Sequence, residues 1–322
     1  MVIEEFKYFV SCIPSKIWGF FDKSNNIDRI VYISEKEDWA IKNIGKVLKK
    51  NLNNNLNIPL NISHYPEFQR NSILHFGSQY MWTNYFKYLN SSNKYVSTFF
   101  HGEKENSLQV EKHINNFIDS QVRLSKVITS SKIVTERIIN YGFDKSKIVK
   151  IGLGVDTSIF QPGLDTSKIK KFLNITNEKF IIGSFQKDGV GWKNGDIPKK
   201  IKGPDIFVKT LINLKKMNVP VLALLLGPAR GYIKTQLRKN DIDYIHAYPK
   251  NFRELPLYYN LLDLYFISSR EEGGPLGLLE SLSCGIPVVS TPVGMSPEVL
   301  NNKNGYITEI NPDIISEIIF NF

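Results

Sequence analysis

Residues 262–290 constrain the fold of this chain more than any other stretch. An apolar run over 262–268 predicts a buried parallel strand, and a glycine-rich loop follows it. Pro275 fits the first position of a helix, and Gly285 is placed to end that helix. A second apolar run then begins at Val288. The order strand, glycine loop, helix, strand predicts an α/β unit built on a parallel sheet.

Two glutamates flank the mouth of this glycine loop. Glu272 lies in the loop, and Glu280 lies a little over two turns into the predicted helix. Helix N-termini and glycines let a phosphate approach the backbone, whereas carboxylates suit hydroxyl groups. A sugar joined to a nucleoside diphosphate offers both kinds of group. A solvated acidic loop on an ordinary βαβ unit explains the same spacing, so both interpretations stay open.

The same alternation of strands and helices runs through both halves of the chain, and it predicts two doubly wound domains. The predicted strands before residue 262 cover residues 27–33, 72–77, 95–100, 126–130, 147–151, 180–185, 221–227 and 244–248. The predicted helices outside the 262–290 stretch cover residues 39–48, 114–124, 132–141, 206–217 and 252–262.

The composition argues against several classes of function. The net charge of +10 is dispersed and no recognition motif is present, so we expect no nucleic-acid binding. The two cysteines, Cys12 and Cys284, lie far apart, which indicates a reducing compartment. The sequence shows no secretory signal, and we expect a cytoplasmic protein. The aromatic segment 6–21 favours either packing on the first domain or peripheral contact with the inner face of a membrane.

The sequence motif that includes and follows the two glutamates indicates a family more specifically than their spacing does. Glu272 and Glu280 precede Ser-Cys-Gly-Ile-Pro-Val-Val-Ser and then Gly-Met-Ser-Pro-Glu at 294–298. This stretch resembles the donor-site signature of retaining glycosyltransferases of family four. The resemblance implies the α/β GT-B fold, with two Rossmann-like doubly wound domains facing a central cleft. We expect an acceptor-side domain over residues 1–160 and a nucleotide-sugar donor-binding domain over 161–322.

The resemblance, which covers residues 95–310 well and 1–94 poorly, also implies roles for individual side chains. Glu280 would hold the ribose hydroxyls, Lys202 the diphosphate and Glu272, as a catalytic residue, the transferred sugar. The diphosphate would also meet the backbone amides of Gly273, Gly274 and Leu276.

Three further candidates stand at the ends of predicted strands. His101 follows the strand at 95–100, at a carboxyl end of the kind where open α/β sheets bind ligands. The family commonly has a histidine in such a context facing the donor, so His101 is the second catalytic candidate. Ala247 and Tyr248 end the strand at 244–248, and the loop there borders the nucleotide base in the family.

The chain departs from the family pattern at the diphosphate site. Ser184 occupies the position of the family's arginine, and the loop that follows is longer than usual. Lys187 or Lys193 could supply the lost charge, although a solvated surface loop explains both lysines equally well. Pro275 stands where the family usually has glycine, and it removes one amide from the phosphate site.

The resemblance therefore implies a glycosyltransferase of the hexosyltransferase type that needs neither a metal ion nor a cofactor. It would move a sugar from a nucleoside-diphosphate sugar to an acceptor hydroxyl, with retention of configuration. The acceptor is a glycan, a lipid or a small molecule. The alternative is a degenerate GT-B protein that binds a nucleotide sugar or a partner without transfer, and Ser184 supports this alternative.

Overall fold

The computed structural model describes residues 27–36, 40–53, 59–176, 178–191, 193–249 and 251–321. The aromatic segment 6–21 lies outside these described residues. The chain divides into two compact units, Met1–Ile151 and Gly152–Phe322. Residues 152–160, which the sequence predicts in the first domain, lie on the other side of this boundary. They belong to the second unit because Leu153, Val155 and Phe160 pack in its apolar core.

The first unit is built on one parallel sheet with the strand order β2-β1-β3-β4-β5-β6. Its strands are β1 Arg29–Ile33, β2 Leu60–Ser63, β3 Ser72–Phe76, β4 Lys94–Phe99, β5 Lys126–Thr129 and β6 Ile148–Lys150. Its described α-helices are α1 Ala40–Leu52, α2 Gln79–Tyr85, α3 Leu108–Asp119 and α4 Lys132–Asn140.

Local chemistry explains where the first unit departs from the sequence prediction. Helix α3 begins six residues before the predicted start, because the Ser107 hydroxyl accepts a hydrogen bond from the Val110 amide and caps the helix. A 3-10 turn over Ser120–Arg123 then replaces the predicted last turn. Strand β2 was not predicted. Its four residues follow an asparagine-rich stretch and gain their order by pairing with β1.

The second unit is built on a separate parallel sheet with the order β12-β11-β10-β7-β8-β9. Its strands are β7 Phe180–Phe185, β8 Val221–Leu226, β9 Asp243–Ala247, β10 Leu264–Ile267, β11 Val288–Ser290 and β12 Gly305–Ile307. Its described α-helices are α5 Ser167–Phe172, α6 Pro204–Lys216, α7 Gly231–Lys239, α8 Leu255–Tyr259, α9 Leu276–Ser283, α10 Ser296–Val299 and α11 Pro312–Phe320.

The strand order of the second unit creates a topological switch point between β7 and β10. β7 pairs with β8 on one side and with β10 on the other, so the chain winds outward from β7 in both directions. Both strands are parallel, and the loops after Phe185 and after Ile267 therefore leave from the same edge of the sheet. Ligands of open α/β sheets bind at this kind of position.

The glycine-loop stretch folds as predicted in outline. Helix α9 begins at Leu276, so Pro275 lies just before the helix instead of at its first position. Gly285 follows the end of the helix with φ of +76°, which confirms it as the residue that ends the helix. A Cβ at Gly277 would overlap the phenol oxygen of Tyr265, so only glycine lets α9 approach β10 this closely.

Candidate functional site

Lys202 and Glu272 form an ion pair at the switch point of the second unit. The Lys202 ammonium contacts the Glu272 Oε1, and both side chains are largely buried. The Ser269 hydroxyl also donates to that oxygen at 3.0 Å. Lys202 ends the loop that follows β7, and Glu272 lies in the loop that follows β10. The structure therefore brings together two side chains that stand 70 residues apart in the sequence.

Backbone contacts hold these two loops against each other. The amides of Arg270 and Glu271 both donate to the Ile201 carbonyl, at 2.8 and 3.1 Å. Gly203 lies in the left-handed region with φ of +60°, and a Cβ there would overlap the Ser268 carbonyl oxygen. Only glycine allows this close approach. The position of Lys202 relative to Glu272 is therefore set by the backbone as well as by their side chains.

A lysine that the sequence analysis missed belongs to the same region. Burial lowers the pKa of Lys199, and the neighbouring charges of Lys202 and Lys187 lower it further. Burial also lowers the pKa of Lys187, whereas Lys193, the other lysine considered as a replacement for the arginine, is exposed. Lys199, Lys202 and Lys187 thus gather positive charge beside Glu272. No local motif marks Lys199, since it is the first of two consecutive lysines in a long loop.

Ser184, at the end of β7, contacts an arginine that comes from another part of the chain. The guanidinium of Arg230 donates to the Ser184 hydroxyl at 3.0 Å and to the Ser184 carbonyl at 2.8 Å. It also donates to the carbonyls of Gln186 and Leu226, at 2.5 and 3.0 Å, and it pairs with Asp188 at 3.1 Å. Arg230 and Asp188 are both fully buried. Burial raises the pKa of Asp188 and lowers that of Arg230, while their mutual attraction opposes both shifts.

Arg230 therefore holds the first residues of the long loop and is not presented to solvent. Its bonds to Ser184 and Gln186 fix the end of β7, and its partner Asp188 fixes the following turn. The Asp188 carbonyl in turn accepts from the Lys199 amide at 2.8 Å. The only sequence signal for Arg230 was a charged residue shortly after a fully apolar strand, β8, at a carboxyl end.

Glu280 lies inside the second unit on α9. Its side chain is 8% exposed, and its Oε2 accepts a hydrogen bond from the Tyr259 hydroxyl at 2.7 Å. Burial raises the pKa of Glu280 to about 7, and the bond from Tyr259 lowers it. A buried carboxyl whose hydrogen-bond partner is a neutral tyrosine is costly to ionise. Such groups concentrate at functional sites.

Phe185 and Gln186, at the end of β7, border both parts of this site. The Phe185 ring lies 4.7 Å from that of Tyr259, between ring centroids. The Gln186 side chain donates to the Lys202 carbonyl at 3.1 Å. The tyrosine that bonds Glu280 and the loop that carries Lys202 are thus anchored at two consecutive residues.

The remaining donor-site candidates lie in the same unit. Gly273 is buried, its carbonyl oxygen closely approached by the backbone of Gly294, and Gly274 is partly buried. Leu276 is the first residue of α9. Ala247 is partly buried and Tyr248 is exposed. Both lie at the carboxyl end of β9, which is an edge strand of this sheet and is separated from β7 by β8.

His101 belongs to the first unit, two residues beyond the end of β4. Its carbonyl accepts a hydrogen bond from the Gln79 side chain at 2.7 Å, and the other atom of that amide accepts from the Phe100 amide at 3.1 Å. Gln79 is fully buried, so it fixes the backbone where β4 ends.

Two further findings concern the described part of the chain. Within it, no group of three or more His, Cys, Asp or Glu side chains is arranged to hold a metal ion. No helix among the described ranges is long and apolar enough to cross a membrane. Chemically, the switch point combines lysines suited to an anion with carboxylates suited to hydroxyl groups.

Comparison with known proteins finds similarity that covers most of the second unit. Residues 174–319 match the family model described as glycosyl transferases group 1. The chain is 29% identical over 154 residues to the lipopolysaccharide core biosynthesis mannosyltransferase LpsB of Rhizobium meliloti, which covers 46% of this chain and 41% of that protein. It is 24% identical over 220 residues to a D-inositol 3-phosphate glycosyltransferase of Pseudarthrobacter chlorophenolicus, which covers 65% of this chain and 49% of that protein. The matched regions thus span less than half of the length of these relatives.

Solved structures agree on the fold. HepE from Anabaena, in complex with UDP and glucose, superposes with a TM-score of 0.70 at 16% identity and covers 92% of this chain and 89% of its own. A sucrose-phosphate synthase from Thermosynechococcus elongatus superposes with a TM-score of 0.62 at 15% identity, over 89% of this chain and 70% of its own. The expected α/β GT-B fold, with two Rossmann-like units, is confirmed. Over residues 174–319, the second unit therefore resembles the glycosyl transferases group 1.

Proposed function

We propose that this chain transfers a sugar from a nucleoside-diphosphate sugar to an acceptor hydroxyl. The observation that carries the proposal is the ion pair of Lys202 and Glu272 at the switch point of a group 1 domain. The two relatives are named as a mannosyltransferase and a glycosyltransferase, and HepE binds UDP and glucose, which supports a nucleotide-sugar donor. We extend the proposal to hexosyl transfer with retention, without a metal ion or cofactor, in the cytoplasm.

Each candidate residue has a role in this proposal. Glu280 binds the ribose hydroxyls, and Lys202, with Lys199 and Lys187, neutralises the diphosphate. Preorganised positive charge at the departing diphosphate would be the main catalytic effect, because it acts where negative charge develops. Glu272 contacts the transferred sugar, and His101 faces that sugar from the first unit. The peptide amides near Gly274 complete the phosphate site.

A second candidate function is nucleotide-sugar binding without transfer. It is favoured by the contacts of Arg230. Its guanidinium donates hydrogen bonds to three carbonyls and to the Ser184 hydroxyl, and it forms an ion pair with Asp188. A fully buried arginine with these partners does not replace the arginine that Ser184 displaces at the diphosphate. The lysines alone would then carry the charge.

Binding and transfer measurements separate the two functions. A thermal-shift screen of UDP, GDP and ADP and their sugars should raise the melting temperature for the cognate donor by mass action. Lys202→Ala should weaken binding of the free diphosphate by about 1.5–3 kcal/mol, since its bond is to a charged group. The matched control is Lys200→Ala, which removes an exposed lysine from the same turn. If a folded Lys202→Ala variant binds the diphosphate with unchanged affinity, Lys202 does not neutralise the diphosphate. If the parent binds a sugar nucleotide but transfers no sugar, the second function is favoured.

A further inference from the structure

One residue that contacts Glu280 is placed to set the orientation of its carboxyl group. Tyr259 on α8 is buried with only 1% of its surface exposed, and its hydroxyl donates to Glu280 Oε2 at 2.7 Å. The two residues are 21 positions apart and belong to different helices. We propose that Tyr259 is a positioning residue that orients the Glu280 carboxylate toward the ribose hydroxyls of the donor. This inference rests on the proposed function.

The packing around Tyr259 fixes the direction of its hydroxyl. Its ring lies 4.7 Å from Phe185, 5.5 Å from Tyr265 and 6.0 Å from Phe160, measured between ring centroids. Tight packing on several sides restricts a side chain to few rotamers. The phenol oxygen is therefore held in place before any ligand arrives, and it fixes one oxygen of the carboxylate.

One bond from tyrosine leaves the carboxylate able to bind a diol. An ionised carboxylate has about four acceptor positions on its two oxygens. The tyrosine occupies one position on Oε2, so Oε1 and the second position of Oε2 are available to two neighbouring hydroxyl groups. Without the tyrosine, the carboxylate would lose its fixed rotation, and part of the binding energy would go to restoring it.

The same bond affects the charge of Glu280. The titratable groups around this carboxyl are Tyr259 from α8, Tyr265 from β10 and Cys284 just after α9. Burial raises the pKa of Glu280 to about 7, and the bond from Tyr259 lowers it. Loss of the tyrosine hydroxyl should therefore raise this pKa. Ribose binding needs the charged form, so its onset should move to higher pH.

The test variant is Tyr259→Phe, which removes the hydroxyl and keeps the packed ring. Calorimetry would measure binding of UDP, GDP and ADP, together with their 2′-deoxy and 3′-deoxy forms, between pH 6 and 9. We expect binding of the cognate ribonucleotide to weaken by about tenfold at neutral pH, the loss of one hydrogen bond to a charged group. Binding of the deoxy forms should change much less, and the ribonucleotide profile should shift to higher pH.

Two further variants make the result specific. Tyr258→Phe removes the same group from the preceding residue of the same helix, so it should leave the preference for ribose unchanged. In the Glu280→Gln background, Tyr259→Phe should cause little additional loss, because the two residues act as one unit. If the two effects simply add, or if Tyr259→Phe keeps the parent preference for ribose and the parent pH profile, the inference is overturned. If the parent binds none of these nucleotides, the proposed function fails instead.

Discussion

The ion pair of Lys202 and Glu272 competes with the ligand contacts that we propose for both side chains. In the proposed function, the diphosphate must attract Lys202 while Glu272 turns to the sugar. We predict that Glu272→Gln releases Lys202 and strengthens binding of the free nucleoside diphosphate by about fivefold or more, because the diphosphate no longer has to break a largely buried ion pair. Transfer should fall, because the carboxylate stabilises positive character on the sugar ring in the transition state.

Calorimetry and single-turnover transfer measure these two effects separately. Glu309→Gln is the control, since Glu309 is an exposed glutamate of the same unit. A Glu272→Gln variant that transfers sugar at the parent rate would show that the carboxylate has no part in the chemical step. A loss of diphosphate affinity would show that the ion pair supports Lys202 instead of restraining it.

Glu280 should also make stability depend on pH. Its pKa rises from 4.5 to about 7 on folding, so the protonated form is favoured in the folded state. This contribution to stability is complete below pH 4.5 and is lost as the pH rises toward 7. The side chain introduced by Glu280→Gln cannot ionise. We therefore predict that the free energy of unfolding of this variant rises by up to about 3 kcal/mol relative to that of the parent over this pH interval.

Melting temperatures of the parent and of Glu280→Gln, measured from pH 4.5 to 8, check this prediction. The two curves should separate as the pH rises. Parallel curves would mean that Glu280 is ionised at its ordinary pKa in the folded protein. Glu309→Gln again serves as the exposed control.

Side chains that belong to a contiguous motif could be predicted from the sequence, and others could not. Glu272 and Glu280 lie in one characteristic sequence motif, and Lys202 precedes a glycine at the start of a helix. Arg230 and Tyr259 act through contacts that span 46 and 21 residues, so only the folded chain reveals their partners. The exposure of Lys193 was likewise decided by the path of the long loop.

Strands and helices were predicted where periodicity was strong, and their boundaries shifted where a local bond decided them. The helix predicted over 252–262 is a 3-10 turn, Phe252–Glu254, followed by the short helix α8. Pro256 lies in the first turn of α8, where its missing amide hydrogen costs nothing. Strand β2, which follows an asparagine-rich stretch, carried too weak a pattern to be predicted, since its order comes from pairing with β1.

The approach of α6 to β10 at Gly203 provides a prediction about the assembly of the site. A side chain at Gly203 would require an unfavourable backbone conformation and would also overlap the Ser268 carbonyl. We predict that Gly203→Ala destabilises the protein by about 3 kcal/mol or more and weakens nucleoside-diphosphate binding. The binding loss follows because the turn that carries Lys202 would move away from the loop that carries Glu272.

The matched control is Gly163→Ala. Gly163 also has a positive φ, +73°, but an added Cβ would meet nothing within 4 Å. It should therefore lose only about 1 kcal/mol, the backbone cost alone, and bind nucleotide normally. Unfolding by denaturant and calorimetry give both quantities. Equal losses in the two variants would show that the overlap at Gly203 is relieved without effect.

In the proposed function, His101 is the residue of the first unit that contacts the transferred sugar. Hydrogen exchange tests this role with the donor alone, because no acceptor has to be supplied. We predict that a nucleoside diphosphate alone protects the second-unit segments around Ser184–Gly203 and 268–284. The complete sugar nucleotide should additionally protect residues 99–103, which include His101.

His101→Ala provides the functional half of this test. It should lower transfer by at least about tenfold while leaving binding of the free diphosphate near the parent value, because in the proposed function His101 contacts only the sugar. Gln79→Ala is unsuitable as a control, since Gln79 fixes the same backbone. Asn84→Ala, at an exposed position of α2, is a better one. Protection at 99–103 by the diphosphate alone, or none with any donor, would contradict the assigned role.

The central place of β7 has a consequence for how the protein is made. During synthesis, β7, β8 and β9 leave the ribosome before β10. The edge of β7 that pairs with β10 therefore stays unpaired until Leu264–Ile267 emerges. Open edges of this kind invite wrong partners in a nascent chain. During that interval the lysines beside β7 are present without Glu272 or Glu280. In a nascent chain, the proposed nucleotide site is therefore completed only when the strand that pairs with this open edge arrives.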